Sequence, residues 1–111
     1  MELPEFIRNL PKVDLPFEES KVTGHALPSN VGLLVFFEFF EDFDLPAHSH
    51  GAQWGTVLEG ELELTIGDET RTYGPGDSYS IPAGVVHSAR VPAGVKVIDC
   101  FEEPDRHKLK G

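Results

Sequence analysis

The 111-residue chain has room for one ordinary domain, and its 40% apolar content, rich in Phe, suits a packed core rather than disorder. Nineteen Asp and Glu against nine Lys and Arg give a formal charge of -10, and no Lys or Arg lies between Val22 and Thr70, which argues against nucleic acid as a partner. The single cysteine, Cys100, excludes an internal disulfide, and no apolar run nears the ~20 residues of a membrane-spanning helix, so we expect a cytoplasmic protein without membrane contact.

In chain order, Pro4, Pro11 and Pro16 punctuate residues 1–20 and predict an extended arm with little regular structure, available to pack on a neighbouring subunit. Early prolines and the lack of a basic start do not read as a signal peptide. Residues 21–104 then carry short runs of Val, Ile, Phe, Tyr and Thr between turn signals such as PSN, IGDE, YGPGD, IPAG and VPAG, the pattern of an all-β barrel. FFEFF at 36–40 places Phe37 and Phe39 opposite Phe36, Glu38 and Phe40. A strand of this kind is buried on both sides or covered by a second chain, which points to a homodimer. Leu62, Leu64 and Ile66 alternate with Glu61, Glu63 and Thr65 in the two-residue period of a half-buried strand, and Gly67-Asp68 marks an exposed hairpin turn. Residues 105–111 form a polar tail on what we expect to be a single domain spanning 1–111.

His48 and His50 lie two apart, so on an extended segment their imidazoles share a face and can converge on one ion. Such a pair also arises incidentally. His87, after the tight turn in GDSYSIPAGVVH, offers a third imidazole from a distant strand, as a metal site with open positions requires. His25 and His107 have no partner pattern and are expected to be structural or solvent-exposed.

These two segments resemble the paired motifs of the cupin superfamily, Gly-x5-His-x-His-x3 or x4-Glu-x6-Gly and Gly-x5-Pro-x-Gly-x2-His-x3-Asn. Gly76, Pro82, Gly84 and His87 are in register with the second, with Val91 at its final Asn; in the first, Asp42 replaces the opening Gly. Counting back from Gly60 puts Gln53 at the Glu ligand position, after a connection shortened to Gly51 and Ala52. The resemblance implies a cupin-type jelly-roll β-barrel with an extended N-terminal arm. It also implies one divalent transition metal ion (zinc, nickel, manganese, iron or copper) held by His48, His50, Gln53 and His87. A neutral amide leaves the full positive charge on the ion, which favours polarising a carbonyl or hydroxyl over carboxylate-assisted O2 activation. Gln53 as a purely structural residue, with water in its place at the ion, is the alternative.

Trp54 and Tyr79 are candidates to line a cavity, with plain core packing as the competing role. Asp99 shares a strand face with Val97 and Phe101 in VKVIDCF; facing inward, it needs a cation or an acid/base role, and facing outward it is simply solvated. The ending VIDCFEEPDR is similar to that of the cupins that open unsaturated uronates during pectin and alginate breakdown. That resemblance makes Asp99, Phe101 and Arg106 pocket residues, with Arg106 able to pair a substrate carboxylate. The expected function is Lewis-acid and proton-transfer chemistry on a small acidic or sugar-derived metabolite, with Asp99 as proton shuttle. A cupin dioxygenase and a non-catalytic binding barrel are the alternatives.

Overall fold

Side-chain alternation sets the architecture. The computed structural model describes residues 1–110, in which one short helix, α1 (Glu5–Arg8), precedes the strands. These are β1 (Val22–Pro28), β2 (Leu33–Phe39), β3 (Phe43–His48), β4 (Gln53–Glu59), β5 (Leu62–Ile66), β6 (Glu69–Tyr73), β7 (Ser78–Ile81), β8 (His87–Val91) and β9 (Lys96–Phe101). They pair into two antiparallel sheets, ordered β1-β2-β9-β4-β7 and β3-β8-β5-β6. This is the jelly-roll barrel expected from the turn spacing.

Every second residue faces the barrel interior. Val35 and Phe37 on β2, Val57 on β4, Tyr79 and Ile81 on β7, Ala89 and Val91 on β8, and Val97 and Phe101 on β9 are buried. Burial of a large apolar side chain contributes roughly 1.5–3 kcal/mol, so this shared interior, more than any local preference, holds the sheets together. Leu62 and Leu64 are buried while Glu61 and Glu63 stay exposed, and Gly67 turns the β5–β6 hairpin with φ +63°. FFEFF behaves unevenly: Phe37 is buried inside, Phe36 and Phe39 are half-buried, and Phe40 is 50% exposed.

The arm is extended with little regular structure apart from one turn. Its residues 5–8 make a helical turn, with Glu5 at the positive end and Arg8 at the negative end. It packs on its own barrel rather than leaving it: Leu3 and Val13 are each 3% exposed, Val13 N–H donates to Gly24 O (3.0 Å) and Ala26 N–H to Pro11 O (2.8 Å). Gly24 makes room for this, since a methyl group there would overlap Val13 Cγ2. The tail is no free polar end either. Asp14 N–H donates to Lys108 O (2.6 Å), Lys110 N–H to Lys12 O (2.8 Å), and Lys12 and Lys110 both pair with Glu19. Arm and tail thus form one strap across the barrel mouth.

Candidate metal centre

The strap and the inner sheet faces enclose a cavity of about 340 Å³ containing His48, His50, Gln53, Asp99, Phe101 and Arg106. How His48 comes to face it depends on a local irregularity. Phe43 and Leu45 of β3 pair with Val91 and Ala89 of β8, but His48 pairs with His87, so β3 holds one extra residue across Pro46 and Ala47. A bulge of this kind shifts the alternation by one. Positions 43 and 45 face inward before it, and position 48 faces inward after it.

His50 lies just beyond β3, in the short connection to β4. Gly51 N–H donates to Glu103 Oε1 (2.7 Å) and Ala52 N–H to Glu102 Oε2 (2.9 Å), while Gly84 N–H from the IPAG turn donates to His50 O (2.8 Å). The two histidine-bearing segments are therefore tied together through backbone groups. Gly51 is needed at this clasp because a methyl group there would crowd the Glu103 side chain.

The three imidazoles converge. His48, His50 and His87 each offer a ligand atom within 4.8 Å of the others, with ring centroids 4.2 to 5.2 Å apart. In each ring Nδ1 lies against a backbone carbonyl: Pro46 O for His48 (2.8 Å), Gly51 O for His50 (2.8 Å) and Val85 O for His87 (3.0 Å). A carbonyl can only accept, so Nδ1 donates in all three, which leaves Nε2 as the atom available to an ion. His87 Nε2 is buried without any hydrogen-bond partner. Burial also lowers the pKa values of His50 and His87, keeping these rings neutral. Three imidazoles held through Nδ1, with Nε2 atoms that have no protein partner and one of them buried, fit a divalent transition metal ion. The cluster could hold one.

Gln53 opens β4 opposite Phe101 of β9 and lines the same cavity. Its side chain lies near Asp99, which is 5% exposed. Asp99 therefore faces inward, and its Oδ1 accepts from Tyr79 Oη (2.6 Å). Burial drives the Asp99 carboxyl up to about 6, against the lowering effect of the Tyr79 bond and of the nearby Gln53 amide. Burial first, and the Asp99 charge second, raise the Tyr79 hydroxyl.

Gly55, which the sequence reading did not single out, makes this pair possible. It pairs with Tyr79 on one side and Asp99 on the other, and a Cβ there would overlap both Asp99 Oδ1 and the Tyr79 ring. Tyr79 reaches β9 by passing over a strand position without a side chain. A glycine inside a strand was the available signal.

Arg106 lines the cavity beside Phe101, its Cζ 5.9 Å from the ring centroid, and its Nε is buried without a partner. Burial lowers its pKa, opposed by Glu103. Two expectations need correction. Trp54 is 46% exposed on the outer face of β4 beside Ser80 and Cys100, because alternation gives the inner face to Gln53 and Gly55. His107, expected to be structural or exposed, instead lines the cavity, its ring 5.3 Å from Phe101 and 5.9 Å from Phe37. Burial, then the Arg106 charge, hold it down to about 4. His25 is a plain structural residue, 6% exposed beside the arm.

Among solved structures, the chain is similar to an RmlC-like cupin from Shewanella frigidimarina, with 26% identity over 89% of this chain and 87% of that one at a TM-score of 0.75. It is similar to KdgF from Halomonas sp., with 25% identity over 79% of this chain and 84% of that one at a TM-score of 0.69. A cupin superfamily protein from Desulfitobacterium hafniense, 21% identical over 86% of this chain and 96% of that one at a TM-score of 0.70, shares the fold. No curated protein matches the chain. The cupin domain family model matches residues 41–100, which contain both histidine-bearing segments and the strand carrying Asp99, and the chain therefore belongs to the cupin family.

Proposed function

We propose that the protein is a metal-dependent cupin enzyme that binds a small carboxylate-bearing metabolite and moves a proton on it, as in isomerisation or ring opening. The observation that carries this reading is the shared cavity: His48 and His50, clustered with His87, line the same space as the unpaired Arg106 and the buried Asp99. Arg106 binds the substrate carboxylate, by two parallel N–H bonds where the approach allows. A divalent ion at His48, His50 and His87, with Gln53 as the fourth ligand, would supply Lewis-acid polarisation of a carbonyl or hydroxyl oxygen. Asp99 takes up and returns the proton, and Tyr79 holds its carboxylate in position. Similarity to KdgF, and to the uronate-opening cupins through Asp99, Phe101 and Arg106, supports this reaction type.

The test combines metal analysis of the purified protein with turnover assays on a panel of oxo and hydroxy carboxylates that includes unsaturated uronates. Asp99→Asn is expected to keep the metal and lose at least a hundredfold in kcat, while Arg106→Gln raises KM. Undiminished turnover by Asp99→Asn would sink the mechanism. Ligand-induced rises in melting temperature without turnover of any panel member would favour the binding-barrel reading. A cytoplasmic homodimer belongs to the same proposal: Trp54, Leu27 and Val31 are exposed around an open groove of a kind that a second copy can cover. No helix among the described residues is long and apolar enough to cross a membrane.

A further inference from the structure

Polar and apolar groups are segregated along the cavity. His48, His50, Asp99 and Arg106 lie toward one end, and His107 stands next to them against Phe101 and Phe37. From there a row of rings leads away: His50 to Phe101 at 5.7 Å, Phe101 to Phe37 at 6.4 Å, Phe37 to Phe39 at 6.3 Å, Phe39 to Phe43 at 5.8 Å and Phe43 to Phe17 at 4.7 Å between centroids. The distance is considerable, since Phe43 and His48 stand at opposite ends of β3, roughly 15 Å apart at the rise of a strand. Phe17, Phe39, Phe43 and Leu45 are only half-buried although they pack against the core, so part of each ring or alkyl surface faces the cavity.

We infer that the substrate is a monocarboxylate with an apolar alkyl or aryl body, its carboxylate at Arg106 and its body along the Phe37, Phe39 and Phe43 wall. The inference rests on the carboxylate reading of Arg106 given above and narrows it. A sugar acid of similar size carries hydroxyls along its whole length. Beyond His107, against Phe39, Phe43 and Leu45, they would meet carbon atoms and give up hydrogen bonds to water without replacement. An apolar body instead removes the exposed faces of Phe39, Phe43 and Leu45 from water. The cavity volume of about 340 Å³ lies at the small end of ligand pockets, which suits a single ring or short chain.

Titration calorimetry on the wild-type protein with straight-chain carboxylates from butanoate to octanoate, 4-phenylbutanoate and galacturonate tests the inference. Affinity should rise about threefold to fourfold per added methylene until the wall is covered, and 4-phenylbutanoate should bind at least tenfold more tightly than galacturonate. Phe39→Ala should weaken 4-phenylbutanoate fivefold or more, and Arg106→Gln should weaken every acid. The chain-length series needs no variant, so a folding defect in Phe39→Ala leaves the test standing. A flat series, or galacturonate binding as tightly as 4-phenylbutanoate with both sensitive to Arg106→Gln, overturns the apolar-body inference and leaves the carboxylate site intact. Failure of all these acids to bind removes the carboxylate site and this inference together.

Discussion

The two ends of the cavity are built by different physics. At the histidine end, side-chain positions are fixed by hydrogen bonds to backbone: Nδ1 of His48, His50 and His87 to carbonyls, and the Gly51 and Ala52 amides to Glu103 and Glu102. At the opposite end, Phe17, Phe39 and Phe43 are fixed by packing alone. A hydrogen bond specifies direction, which a metal ligand needs, whereas ring contacts specify only shape and exclude water. One end is suited to chemistry and the other to recognition.

Breaking the histidine end should separate the two most strongly. His87→Ala removes a ring whose Nε2 is buried without a protein partner, so metal affinity is expected to fall a hundredfold or more while Phe43→Ala keeps its metal; elemental analysis after dialysis against a metal buffer reads both. Next in size, Gly55→Ala forces a methyl group into the Tyr79 and Asp99 contact and should cost about 2–3 kcal/mol in chemical denaturation. Retained wild-type stability would show that β4 yields there and that the 2.6 Å contact of Tyr79 with Asp99 is easily stretched.

Acid sensitivity sharpens the comparison further. His107 has an ordinary value of 6.5 and is held down to about 4 in the fold by burial first and then by the Arg106 charge. Between these values the unfolded chain binds the extra proton, so the stability it contributes above pH 6.5 is lost as pH falls toward 4. Asp99 acts in the opposite sense, since its carboxyl rises from 3.8 to about 6 on burial and the folded state holds the extra proton. Its contribution is present below 3.8 and is lost as pH rises through 6. In metal-free protein the two offset each other near pH 5. Asp99→Asn should therefore steepen the rise of stability with pH there by up to about 1.4 kcal/mol per pH unit, and His107→Gln should flatten it, as read from urea midpoints. The smallest effect is expected outside the cavity: Trp54→Ala, on the outer face of β4, should leave metal content and carboxylate affinity within twofold of wild type in the same assays.

Much of the site was readable because it follows local rules. His48 and His50 share a face, and the spacing of Gly76, Pro82, Gly84 and His87 reflects a tight turn whose Gly84 takes φ +78°. Asp99 could be assigned to the face of Val97 and Phe101 by alternation, but that this face is the inner one follows from the register that sets Asp99 opposite the buried Val35 of β2. Trp54 was misplaced because its neighbour Gln53 drew it into the site, although adjacent strand residues point to opposite sides. His107 carries no local pattern at all; only the pairing of the tail with the arm brings it against Phe37 and Phe101.

Sequence by itself determined the strands, the direction of each side chain relative to its neighbours, the turns between them and the spacing of the histidines, because these depend on backbone sterics over a few residues. Tertiary structure alone decided what lies opposite each side chain: the bulge at Pro46 and Ala47 that turns His48 inward, the Tyr79 bond to Asp99 across Gly55, and the strap that brings Arg106 and His107 beside Phe101. Those contacts join residues far apart in the chain, and they form only when the two sheets close on a common interior.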